Sequence, residues 1–231
     1  MNTDADGNSK NAINTHLSDV DIGDRLDHDL KAMLRQISFH AELIEDTPDD
    51  TTAVAEHVAA IVKKCALAQR LSQFSNLFAQ ARAPSTDFVE IDLRRLWTQV
   101  ASLQRFEVST FTINVDGQAK IKGEPALLSA AFREVLGNAL AFSSPAQKLL
   151  NVTFEHTDCV CVTIQSYFEG SGPVPDIEAF KAAAVNGSDH GVGFGLFFAR
   201  YVARKHEGDL VVSLPEPGVF SVRMTFGTQA T

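Results

Sequence analysis

The sequence has few cysteines and no long apolar run. Three cysteines (Cys65, Cys159 and Cys161) in 231 residues cannot build the disulfide framework of a small secreted scaffold. Cys159 and Cys161 flank Val160 in a β-patterned stretch, so they share one face of a strand. A metal pair would need further ligands, and no His/Cys cluster lies nearby in the sequence; the two read as strand packing. No segment approaches the roughly 18–20 apolar residues that span a bilayer. The polar opening, MNTDADGNSKN, lacks the basic and apolar stretches of a signal peptide. A cytoplasmic protein without a membrane segment is expected. Positive charge is also short, with 20 Lys and Arg against 29 Asp and Glu, a formal net charge of −9 and a pI of about 5.2. A surface of that sign repels phosphate backbones, which argues against nucleic acid as a partner.

What is present is ordinary globular composition, 45% hydrophobic and 21% charged, in a length that suits one large domain or two small ones. Residues 1–22 are polar and aperiodic and read as a flexible tail. Leu26, Leu30, Met33, Ile37, Ala41 and Ile44 then recur at helical spacing. The acidic, proline-bearing EDTPDDT at 45–51 breaks the pattern as a turn. Val54, Val58, Ile61, Cys65, Ala68, Leu71, Phe74 and Phe78 resume it. Two long helices with a short connection make an antiparallel hairpin over 23–82. Such a hairpin cannot bury its stripe alone, so pairing with a second copy into a four-helix bundle is expected. ARAPST at 81–86 reads as a linker.

Beyond it, over 87–228, strand and helix patterns mix. FVEIDL, TFTINV, AKIKG, LLNVTFEH, CVCVTIQSYF, DLVVSL and VFSVRMTF read as strands. LRRLWTQVASLQ, residues 124–142 and residues 194–206 read as helices. The expected fold class is α+β: the hairpin followed by an α/β sandwich with helices on one face of a largely antiparallel sheet.

His28 lies about 200° around the first helix from Leu26, on the side away from the stripe, so it is expected to face solvent. Asp29 beside it is placed to hold the ring through Nδ1 and leave Nε2 as nucleophile. HDLKAMLRQISFHAELI resembles the H-box of two-component histidine kinases, in which such a histidine is phosphorylated; His28, Asp29, Leu30, Lys31 and Leu34 match. Ala32 stands where that family has Thr or Asn, which position water for hydrolysis of the partner's phosphoaspartate, and Met33 where proline is common. The resemblance therefore implies a poor phosphatase of its response regulator.

Two further motifs extend the resemblance. HGVGFGLFFARYVARKHEGDLVV is similar to the G2 box of the histidine-kinase, gyrase and Hsp90 ATPases. Gly191, Gly193 and Gly195 alternate and Leu196 begins a helix, so backbone and helix N-terminus can approach a phosphate. REVLGNALAFSS is similar to the N-box, with Glu134 and Asn138 one turn apart. The resemblance implies that Asn138 ligates Mg²⁺ and that Glu134 orients a metal-bound water or assists proton removal. Ala141 replaces a basic residue often found there.

The G1 box departs most. Relatives carry Asp-x-Gly-x-Gly, whose Asp accepts a hydrogen bond from the adenine amino group. Here VTIQSYF runs into EGSGPVP. Gly170 and Gly172 fit the loop, but Phe168 or Ser166, depending on how the strand is counted, takes the place of the Asp. Losing a hydrogen bond to a charged partner costs roughly 1.5–3 kcal/mol, about ten- to a hundredfold in affinity. Residues 180–190 would form the ATP lid, with Lys181 its cation. Together the motifs, spanning about residues 24–226, imply a homodimeric histidine autokinase using ATP and Mg²⁺, which passes phosphate from His28 to a response-regulator receiver domain. The alternative is an ATP-independent histidine phosphotransferase or docking protein with a decayed nucleotide site. A gyrase- or Hsp90-type ATPase leaves the hairpin and His28 without a role.

Overall fold

The computed structural model describes residues 19–84, 88–104, 108, 110–141, 143–144, 146–168 and 194–227. The chain divides into two compact units, Met1–Ala68 and Gln69–Thr231.

The first unit holds α1 (Asp19–Asp46) and the larger part of α2 (Thr51–Arg82). α1 starts inside the stretch read as tail, so residues 19–22 are helical. The turn between the helices is built by Asp50, whose Oδ1 accepts from the N–H groups of Thr52 at 3.1 Å and Ala53 at 3.0 Å. That satisfies donors left over at the start of α2. Among residues 24 and 26–68, Leu26 alone is buried. Leu34, Phe39, Val58 and Val62 stand 52%, 56%, 46% and 63% exposed.

The second unit begins with the last turns of α2, where Leu71, Phe74, Phe78 and Ala81 are buried. They are followed by β1 (Val89–Asp92), α3 (Leu93–Leu103), β2 (Thr112–Gly117), β3 (Lys120–Gly123) and α4 (Pro125–Ala141). Then come β4 (Leu149–His156), β5 (Val160–Tyr167), α5 (Phe194–Lys205), β6 (Leu210–Glu216) and β7 (Val219–Phe226). β1 and β3 form a two-stranded antiparallel sheet. The main sheet has the order β2-β4-β5-β7-β6. Only β2 and β4 run parallel in it. This is the α+β sandwich expected from the strand and helix patterns.

The core lies between that sheet and its helices. Val152, Val162, Ile164, Val222 and Met224 from the strands bury with Leu128, Phe132 and Val135 of α4 and Phe198 and Val202 of α5. Trp97 of α3 meets Phe132 edge-on at 5.7 Å between centroids. The end of α2 packs on α5, with the Phe78 ring 5.3 Å from Phe198 and 5.7 Å from Tyr201. Lys205 closes the contact by donating to the carbonyls of Ala81 at 2.7 Å and Ala83 at 3.0 Å, acceptors that a helix end leaves without intrahelical partners.

Candidate functional site

In the first unit, the early turns of α1 carry His28 with its side chain 75% exposed. Its Nδ1 lies 3.1 Å from Asp29 Oδ1. A carboxylate there fixes the Nδ1–H tautomer, so the lone pair is at Nε2, pointed away from the acid. Ala32, one turn on, carries no polar side-chain atom. Lys31 pairs with Asp27 at 2.6 Å on the exposed surface.

In the second unit, Glu134 and Asn138 sit one turn apart on α4. Asn138 Nδ2 donates to the Glu134 carbonyl at 2.9 Å. This anchors the amide by its nitrogen and makes Oδ1 the atom it can offer a cation. Gly195, at the start of α5, lies against this pair. A Cβ on it would stand 2.8 Å from Glu134 Oε2 and 3.2 Å from Asn138 Nδ2. The first turn of α5, with its N–H groups unused by the helix, is thereby brought to Glu134 and Asn138. Leu196 is half-buried in the same turn. Sequence reasoning missed Arg70. From the last part of α2 its Nη2 reaches Glu134 Oε2 at 3.3 Å, and its guanidinium lies 5.9 Å from the Phe74 ring centroid. The two ion-pair partners are 64 residues apart, and no local pattern links them.

Ser166 is completely buried near the end of β5, and among the described residues its Oγ has no hydrogen-bond partner. An unpaired buried hydroxyl costs free energy and is expected to have a use. Phe168 follows the strand, half-buried, with its backbone N–H taken by the Gly218 carbonyl at 2.9 Å. Gly170, Gly172, Gly191, Gly193 and the 180–190 segment with Lys181 lie outside the described residues.

Two polar clusters brace α5 from its far end. Asp209 accepts from Arg200 at 2.7 and 3.0 Å and from Arg204 at 3.2 Å. The Arg200 hydrogen bonds hold its carboxyl well below the usual range. His206 is 5% exposed. Its Nδ1 donates to the Val202 carbonyl at 2.7 Å and its Nε2 accepts from the Glu124 N–H at 3.1 Å. Burial pushes its pKa down. A neutral imidazole thus ties the end of α5 to the start of α4.

The donor set of these features suits a nucleotide phosphate chain. Two of these features are the orphaned Ser166 hydroxyl on β5 and the glycine cradle at Gly195 beside Glu134 and Asn138. Among the described residues no three His, Cys, Asp or Glu side chains cluster to hold a metal alone.

No known family profile matches the chain. The chain is 28% identical over 209 residues to the Sensor protein CreC of Escherichia coli (strain K12), an alignment that covers 85% of this chain and 43% of that protein. It therefore spans under half the length of that relative. Three solved structures share the fold. The Acinetobacter baumannii histidine kinase AdeS superposes with a TM-score of 0.60 at 12% identity, over 88% of this chain and 98% of that one. Full-length ShkA in complex with AMPPNP gives 0.55 at 18% identity, over 93% and 47%. The mycobacterial sensor histidine kinase MprB gives 0.51 at 20% identity, over 62% and 100%. Among the described residues no helix is long and apolar enough to cross a membrane. The chain is a homologue of a sensor protein and has the fold of the histidine-kinase core.

Proposed function

We propose that this chain is the transmitter core of a two-component histidine kinase. In this reading residues 23–82 dimerise and carry the phosphorylated histidine, and residues 87–228 bind ATP. The protein works in the cytoplasm. The observation that carries the reading is Gly195 lying against Glu134 and Asn138, in a chain that also presents an exposed His28 held by Asp29.

In the proposed reaction Asp29 holds Nδ1–H, and His28 Nε2 attacks the γ-phosphorus of ATP, displacing ADP. Asn138 Oδ1 would hold Mg²⁺, which when bound neutralises charge on the phosphates. The N–H groups opening α5 and the flanking glycines would receive phosphate oxygens. Ser166 Oγ would accept from the adenine amino group in place of the family's Asp. Catalysis rests on positioning and charge neutralisation, as phosphoryl transfer requires. His28 then donates its phosphoryl group to an aspartate of a response-regulator receiver domain. Dimerisation is supported by the first unit, where Leu34, Phe39, Val58 and Val62 of the two helices stand exposed.

One observation favours a second reading, an ATP-independent histidine phosphotransferase: neither Ser166 nor Phe168 supplies the carboxylate that reads adenine. The two are separated by incubating the purified chain with γ-labelled ATP and Mg²⁺, beside His28→Ala and Asn138→Ala. Label retained by the wild type and lost in both variants is the kinase result. An unlabelled wild type that accepts phosphate from a phosphorylated receiver domain is the phosphotransferase result.

A further inference from the structure

Cys159 and Cys161 stand apart from the site above. Along β5, Val160, Val162 and Ile164 face the helices, and alternation puts Cys161 on the other side of the sheet. Cys161 is nevertheless only 1% exposed. Cys159 precedes β5 in the bend after β4 and is half-buried. Its Sγ lies 3.8 Å from Cys161 Sγ. Arg223, from the adjacent β7, donates to Cys161 Sγ through Nη2 at 3.1 Å and Nε at 3.4 Å. A disulfide needs about 2.05 Å between sulfurs. The gap can close because Cys159 lies outside the strand ladder, which starts at Val160 paired with His156. The third cysteine, Cys65, lies in α2 of the other unit.

We propose that Cys159 and Cys161 form a reversible dithiol switch, oxidised to an intrachain disulfide by hydroperoxides, with Arg223 as its positioning residue. The better exposed Cys159 sulfur attacks the peroxide. An S–O bond forms, the O–O bond breaks, and the departing alkoxide or hydroxide takes up the Cys159 proton. Cys161 sulfur then attacks the sulfenic sulfur. The S–S bond forms, the S–O bond breaks, and the leaving hydroxide takes the Cys161 proton as water. Two thiols together lose two electrons, and ROOH becomes ROH and water. The Arg223 N–H groups hold the Cys161 sulfur in place for its attack on Cys159. The hydrogen bond to Cys161 pushes the Cys159 thiol above the ordinary cysteine range, so the first step is the slow one. A partly accessible cysteine beside a second thiol held by a cation supplies an attacking and a resolving partner, the pairing that redox sensors use.

The test treats the reduced full chain with hydrogen peroxide, alkylates free thiols under denaturing conditions, and weighs the tryptic peptides. Residues 149–181 fall in one peptide that contains both cysteines and no other. The expected product is that peptide lighter by two hydrogens, restored by dithiothreitol, and absent in Cys159→Ser. In Arg223→Gln the second step should slow on the order of tenfold, as loss of a hydrogen bond to a charged group predicts, so that the Cys159 sulfenic acid, trapped with dimedone, accumulates above the wild-type level; Arg223→Lys should lower it again. Both cysteines remaining alkylatable, each carrying separate oxygen adducts, or only interchain disulfides would overturn the switch. A wild-type level of trapped sulfenic acid in Arg223→Gln would overturn the role of Arg223.

Discussion

Replacing Gly195 with alanine should separate the site from the fold. The new Cβ would stand 2.8 Å from Glu134 Oε2, about 0.6 Å inside the 3.4 Å at which ordinary contact begins, and 3.2 Å from Asn138 Nδ2. Oε2 is the end of a flexible side chain, so the carboxylate swings aside and the backbone stays. The movement breaks the Arg70–Glu134 pair at 3.3 Å. With Arg70 43% exposed, that pair contributes at most about 1 kcal/mol. Alanine at a helix start returns a few tenths of a kcal/mol in backbone entropy. Net stability should change by less than about 1 kcal/mol, and Tm by no more than about 4 °C. Catalysis responds differently, because a misplacement near 1 Å among positioning groups costs about a hundredfold. Thermal denaturation beside initial-rate labelling of His28 should give an intact Tm and a rate lower by about ten- to a hundredfold. A normal rate would show that the first turn of α5 is no part of the site. A collapsed Tm would show that Gly195 serves the core.

Other consequences are checked separately. Because burial lowers the His206 pKa below its ordinary 6.5, the unfolded chain takes up the proton first. The His206 contribution is then complete above about pH 6.5 and lost as pH falls toward the folded value. His206→Gln, compared with wild type by urea midpoints at pH 7.5 and 5.5, should remove that pH dependence. Gly117 sits at φ 75° with a would-be Cβ 1.9 Å from the Phe154 carbonyl oxygen. Gly117→Ala should therefore cost about 2–4 kcal/mol, seen as a Tm lower by about 5–15 °C. Leu34→Glu with Val62→Glu should turn a dimer into a monomer by light scattering while circular dichroism of the second unit persists; an unchanged mass would place the dimer contact elsewhere.

Much of this was readable because the signals are local. The 3–4 spacing of Leu26 through Ile44 marks α1, and the alternation in LLNVTFEH and VFSVRMTF marks β4 and β7. The exposure of His28 follows from its angle to Leu26, and Gly195 is recognisable by its place at a helix start. What local pattern could not carry are contacts made by folding. Arg70 reaches Glu134 across 64 residues and Lys205 reaches Ala81 across 124. His206 reads in sequence as a helix end, and only its burial between Val202 and Glu124 makes it a neutral strut. The Cys159–Cys161 pair reads as packing until Arg223 is seen beside it.

The most direct measurement maps the phosphoryl group. The full chain, incubated with ATP and Mg²⁺ and digested at neutral pH, should yield a phosphorylated peptide that fragments to place the group on His28. The modification should vanish in acid and in Asn138→Ala. No phosphopeptide, or one modified elsewhere than His28, would contradict the account.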